Sequence, residues 1–195
     1  MIILGIDPGT ARMGFGVVES KRGGKLKLLD CGVWLTYPTL EPEKRLKFLF
    51  QNLNSILKEH NPDVMVLEKL FFNTNAKTAI AVGQARGICM LAAANKKVKV
   101  HDYTALQAKL VLTGYGRSDK KVMQEAVRKI FKNKLQIKSD DANDAVAMAL
   151  CYVKKNFGKD DVKKVMKVDS VKKIKTKKLV TSGGLPQKNE NKPKH

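Results

Sequence analysis

The 195-residue chain is short of cysteine, of long apolar runs and of acids. Its three cysteines, Cys31, Cys89 and Cys151, stand far apart, with no CxxC spacing and no histidine nearby. That pattern argues against a disulfide framework and against zinc, and it reads as small reduced core residues. No run approaches the roughly 18 apolar residues that a membrane helix requires, and the start of the chain lacks the basic-then-apolar layout of a secretory signal. A cytoplasmic protein is expected. No segment combines a basic face with the Trp, Phe and Leu stripe of an interfacial helix, which argues against membrane-surface binding. The shortage of acids is the most informative: 18 Asp and Glu face 38 Lys and Arg, a formal net charge of +20. Such a field attracts polyanions and points to nucleic acid as the partner class.

With 43% apolar residues the chain can bury the core of one ordinary domain. From Lys159 to His195 the composition changes to twelve lysines, four acids and no aromatic residue, ending in GGLPQKNENKPKH. A packed core is excluded there, so one folded domain over 1–158 and a basic, largely disordered tail over 159–195 are expected. The tail holds +8 of the charge, and residues 1–158 still carry +12. Two readings of it stay open, a solubilising extension and a nonspecific DNA-binding arm.

Within the domain, IILGI, GFGVVES and LKLLDCGVWLT read as three strands joined by tight turns at DPGT and KRGGK, an antiparallel meander. Leu46, Phe48, Leu49, Leu53, Ile56 and Leu57 recur at helical spacing after Pro42. A buried strand DVMVLE follows, then a loop, a small-residue helix from about Ala76 to Asn95, a strand KVKVHDY, and helices interrupted at TGYGRS and KNKLQIKS. The order predicts an α/β fold, a mixed five-stranded sheet with helices packed on it.

Asp7 and Glu68 each end an apolar strand, and parallel neighbouring strands would bring both to the carboxyl edge of the sheet. Either one alone could be the polar stop that any strand needs. Asp141 and Asp144 are three apart in SDDANDAVAMA and share one helix face, whereas Asp140 points about 100° away and suits capping and the helix dipole. Acids clustered in a domain that binds polyanions repel their own ligand unless cations stand between them. Carboxylates are the hard oxygen ligands that Mg²⁺ and Mn²⁺ prefer, and a pair of such ions can hold a scissile phosphate and activate water.

GIDPGT, LEKLFFNTNAKTAIAVGQARG and DDANDAVAMAL, in that order, resemble the three signature regions of RuvC-type Holliday junction resolvases, of the ribonuclease H-like superfamily. The resemblance covers Met1 to about Val153. It implies a ribonuclease H-like sheet and a homodimer that nicks two strands of like polarity in a four-way DNA junction during recombination and repair. It also implies work beside a branch-migration complex of RuvA and RuvB type. The pattern places the catalytic, metal-binding carboxylates on Asp7, Glu68, Asp141 and Asp144, with Mg²⁺ or Mn²⁺, two ions per site. Phe71 is the implied junction-core aromatic, with Phe72 packed or auxiliary, and Lys109 and Lys120 match basic positions near the scissile phosphate. Lys121 and Arg86 are further DNA-contact candidates. Ala79, Gly83 and Gly87 recur every four residues, which suits either a partner helix or close seating on the chain's own sheet. A sugar-kinase or actin-like reading of GIDPGT needs far more chain. A related nuclease acting on RNA precursors and a non-catalytic junction-binding protein remain the alternatives.

Overall fold

The structure is a computed structural model, and it describes residues 1–69, 76–131, 137–157 and 180–181. Eleven elements follow in order: β1 (Ile2–Asp7), β2 (Arg12–Ser20), β3 (Leu26–Leu35), α1 (Pro42–His60), β4 (Val64–Glu68), α2 (Ala76–Asn95), β5 (Lys99–Tyr103), α3 (Ala105–Thr113), α4 (Lys120–Ile130), α5 (Asp140–Phe157) and β6 (Val180–Thr181). The sheet order is β5-β4-β1-β2-β3-β6. The β1-β2-β3 meander is antiparallel, and β4 and β5 add in parallel on the β1 side, as expected from the sequence. The five expected strands are joined by a sixth: Val180 and Thr181, from the basic tail, pair in parallel with Trp34 and Leu35. The outer edge of β3 offers unpaired backbone groups, and two β-branched residues suit it.

Side-chain alternation along the strands divides the core in two. On one face Leu4, Ile6, Phe15, Val17, Met65 and Leu67 pack under α1 and α2. Pro42 opens α1, Leu49, Leu53, Ile56 and Leu57 bury its apolar stripe, and Asn61 closes it in the left-handed conformation. On the other face Ile3, Val18, Val64 and Val66 pack under α5, which α3 and α4 cover in turn. Every residue of α5 from Ala142 to Val153 is buried except Asp144, so this helix is a central element rather than an amphipathic surface one. A reciprocal capping box of Thr104 and Gln107 starts α3, and Gly114, at φ 85°, ends it. Among the described residues no helix is long and apolar enough to cross a membrane.

Three glycines set the depth at which α5 lies. A Cβ on Gly5 would run into the backbone of Ala145, one on Gly14 into the carbonyl of Asp141, and one on Gly16 into Val146. These positions share one face of β1 and β2, and their bare backbone lets the helix lie directly on the strands. In Gly14→Ala the helix must lift or tilt, and overpacking of this kind costs about 1–3 kcal/mol. Denaturant unfolding of Gly14→Ala is expected to show that loss, and an unchanged midpoint would be incompatible with this packing.

Candidate active site

The pleat decides which strand-end acids meet. Asp7 follows Ile3 and Gly5 on the α5 face of β1, and Glu68 follows Val64 and Val66 on the same face of β4. The parallel register that pairs Ile6 with Leu67 sets the two acids side by side, and their carboxyl groups share a hydrogen bond. From above, the N-terminal end of α5 brings Asp141 and, one turn step on, Asp144, carried down by the contact of Gly14 with Asp141. Both aspartates act electrostatically on Asp7, so the two strand acids and the two helix acids form one cluster.

Burial first, then the charges of Glu68, Asp144 and Asp141, push the Asp7 carboxyl up to about 8. Glu68 is raised by burial and by Asp144, against the opposing pull of its bond with Asp7 and of Arg86 and Lys109. Asp144 is raised by burial, which Lys120 partly offsets. A buried group of carboxylates that cannot all ionise together is an electrostatic demand for cations. The donor set is all hard oxygen, which fits Mg²⁺ or Mn²⁺ and not a soft metal.

Basic side chains meet that demand from both sides. Arg12, at the head of β2, donates from Nε and Nη2 to Asp141 Oδ2 at 2.8 and 2.6 Å, and the Ser139 hydroxyl donates to the same oxygen at 3.2 Å. Lys120 Nζ, at the start of α4, lies 3.3 Å from Asp140 Oδ2 and 3.4 Å from Asp144 Oδ2. Glu68, Asp144, Lys109, Lys120 and Met148 line a single open pocket. Thus two of the expected basic residues stand beside two of the expected acids.

Other expectations come out differently. Arg86 is turned inward: it donates to the Glu68 carbonyl and, at 2.7 Å, to Asp102, with 17% of its side chain exposed. It ties α2 to the ends of β4 and β5. Lys121 is exposed on α4. Asp140 does sit in the first turn of α5, but it also receives Gln124 at 2.7 Å and Lys120, so it fastens α4 to α5 besides facing the dipole. Phe71 and Phe72 lie outside the described residues. Sequence reasoning missed Arg12, one basic residue among many. It also missed Arg45, which donates to the Thr36 hydroxyl at 2.8 Å while that hydroxyl donates to the Thr10 carbonyl at 2.6 Å, pinning the DPGT turn behind Asp7. No spacing signal marks either.

Among the described residues, no three of the four carboxylates bring oxygens mutually within 4.8 Å. The trio that does is Asp30, Glu59 and His60, on the middle of β3 and the end of α1, where His60 Nε2 lies 3.5 Å from Asp30 Oδ2. It shares no residue with the Asp7 cluster.

The raised Asp7 carboxyl has a definite sign in folding. Its pKa is about 8 in the fold against 3.8 for an ordinary aspartate, so the folded state binds the extra proton between those values. Stability from this source is complete below the lower pKa and is lost as pH rises through about 8. In EDTA the unfolding midpoint is expected to fall between pH 5 and pH 8.5, and to fall much less in Asp7→Asn. Mg²⁺ is expected to oppose the loss at the higher pH. A midpoint equally insensitive to pH in both proteins would contradict the buried-cluster account.

The sequence and the fold both have close counterparts. The family model for crossover junction endodeoxyribonuclease RuvC matches residues 3–152. Proteins of that name from Alkaliphilus oremlandii and Desulforamulus reducens are 45% and 47% identical over 152 residues, which is 78% of this chain and 92% and 93% of theirs. The structure of Thermus thermophilus RuvC in complex with Holliday junction substrate superposes with a TM-score of 0.74 at 31% identity, covering 78% of this chain and 93% of that one. With residues 3–152 matched by the family model and more than nine-tenths of each relative covered, the chain belongs to the RuvC family of crossover junction endodeoxyribonucleases.

Proposed function

We propose that the protein is a structure-selective endonuclease that resolves four-way DNA junctions by metal-dependent hydrolysis of phosphodiester bonds, one nick on each of two strands of like polarity. The observation that carries this reading is the meeting of four carboxylates, two from adjacent parallel strand ends and two from one helix turn, beside Lys109 and Lys120 in a chain of net charge +20. The relative whose structure contains a Holliday junction supports the choice of substrate.

Asp7, Glu68, Asp141 and Asp144 are the residues that would hold Mg²⁺ or Mn²⁺, two ions per site. Bound there, such ions supply charge neutralisation at a scissile phosphate and a lowered pKa for water. The chain's own contribution is positioning. Rigid strand ends and a helix seated on bare glycine backbone hold the carboxylates with little freedom to rearrange. Lys109 and Lys120 flank the same pocket and bind phosphate oxygens, and the wider basic field of residues 1–158 draws the polyanion in. Phe71, with Phe72 beside it, belongs to this reading as an aromatic for the junction core, and Lys121 as an accessory backbone contact. The tail from 159 to 195 is an accessory basic segment on the nuclease domain, and the cytoplasm, where DNA and its branch-migration machinery of RuvA and RuvB type are accessible, is the setting.

Two symmetric nicks call for two symmetric sites, hence a homodimer. The outer face of α2 suits it. A Cβ on Gly83 or Gly87 would meet nothing within 4 Å, so these small residues do not seat the helix on its own sheet; Ala85, Cys89, Ala92 and Ala93 do that. Gly83 and Gly87 share their side with the exposed Ile80, Met90 and Leu91, an apolar stripe at helical spacing with small residues at its centre. A second copy of the same stripe is its natural cover.

Two experiments test these points. With synthetic junctions and Mg²⁺, wild type is expected to nick two strands symmetrically, and Asp7→Asn or Glu68→Gln to lose roughly 10²–10³-fold or more in rate while still binding. Cutting of linear duplex or of RNA as readily as of the junction would remove the resolvase reading. In light scattering, Ile80→Glu and Gly87→Leu are expected to shift the protein from dimer to monomer, and an unshifted mass would place the interface elsewhere.

A further inference from the structure

We propose that Arg12 is a DNA-phosphate ligand held in reserve on the active-site carboxylate Asp141 and released when cations occupy the cluster. The proposal rests on the reading of the site as a DNA nuclease. Arg12 stands on the α5 face of β2, two residues before Gly14, whose backbone touches that of Asp141. Its guanidinium closes on Oδ2 with two hydrogen bonds, and Ser139 gives the same oxygen a third. Three donors saturate Oδ2, which leaves a cation only the other carboxylate oxygen unless Arg12 moves away. At either oxygen the guanidinium stands beside the incoming ion, so Arg12 and a divalent ion at Asp141 compete chiefly by charge repulsion.

The side chain of Arg12 is 55% exposed, so it caps the cluster from the rim and is not walled in. Once displaced it has a free planar fork, the geometry that matches a phosphate bidentately. Its position adds a second argument. Lys120 borders the cluster from the α4 side and holds Asp144, whereas Arg12 borders it from the β2 side and holds Asp141. A DNA backbone crossing the acids would meet a cation on each bank. Cation entry at the cluster would then free the arginine for DNA.

The test compares wild type, Arg12→Gln and Arg12→Lys. In Mn²⁺ titrations by calorimetry without DNA, Arg12→Gln is expected to bind about two- to fivefold more tightly than wild type, as expected for removal of an exposed ion pair. Arg12→Lys, which keeps the charge and loses the fork, falls between. Junction affinity is read in Ca²⁺ with the DNA checked to be intact, and again in EDTA. In Ca²⁺, Arg12→Gln is expected to bind roughly fivefold more weakly, with a log–log salt slope smaller by about 1. In EDTA the loss is expected to be clearly smaller, because there wild-type Arg12 remains on Asp141. Mn²⁺ affinity unchanged or weakened in Arg12→Gln overturns the proposal, and so does an equal loss of junction affinity in Ca²⁺ and EDTA. If wild type fails to prefer junctions over linear duplex, the junction reading falls while the Mn²⁺ titration still decides whether Arg12 competes with the cation.

Discussion

The contact between α5 and the bare backbone of β1 and β2 is the constraint on which the rest depends. Gly5, Gly14 and Gly16 each stand where a Cβ would collide with α5. Without them the helix could lie no closer than ordinary helix-on-sheet packing allows, and Asp141 and Asp144 would stand away from the strand acids. The same contact buries α5 nearly throughout, which is why α3 and α4 can cover it and bring Lys109 and Lys120 to the pocket. Positions that pack nothing themselves thus determine where every charged group of the cluster stands.

That closeness has an electrostatic consequence. Burial and mutual repulsion raise Asp7, Glu68 and Asp144 together, and the fold answers with basic side chains at the rim, Arg12 on Asp141 and Lys120 on Asp144. The two ion pairs are partly exposed and cost little to open, since such pairs contribute about 0–1 kcal/mol. The cluster is therefore held together by the packing beneath it and only loosely neutralised from above. In a site of this build the positions come from the packing, and the rim pairs are the part that gives way.

Much of this was legible in the chain. Asp7 and Glu68 each end an apolar strand, which in parallel neighbours puts both at the carboxyl edge of the sheet, and the three-residue step from Asp141 to Asp144 puts them on one helix face. The meander, the parallel additions and all five helices follow from pattern and turn residues. What stayed hidden depended on pairing across long sequence separations. Arg12 meets Asp141 across 129 residues, and nothing local distinguishes it from the other basic residues. The bonds of Arg86 to Asp102 and to the Glu68 carbonyl likewise join separate elements and leave no local pattern. The two-residue strand β6 was hidden because an exposed sheet edge exists only once the sheet has formed. Glycine spacing was visible in GFG, yet its meaning required knowing which helix lies over it.

Arg86 also links α2 to the strand end that carries Glu68. It stands on α2 between Gly83 and Gly87, whose open side forms the apolar stripe, while its guanidinium reaches the backbone of Glu68. β4 ends at that residue, and a strand end has no ladder beyond it to hold its last carbonyl. The bond from Arg86 supplies that missing partner, and the pair with Asp102 at 2.7 Å fixes the guanidinium in place. The backbone of Glu68 is thus held from the α2 side, while its carboxyl meets Asp7 on the other. The helix that carries the apolar stripe and the strand end that carries one of the four acids are joined by the bonds of a single arginine.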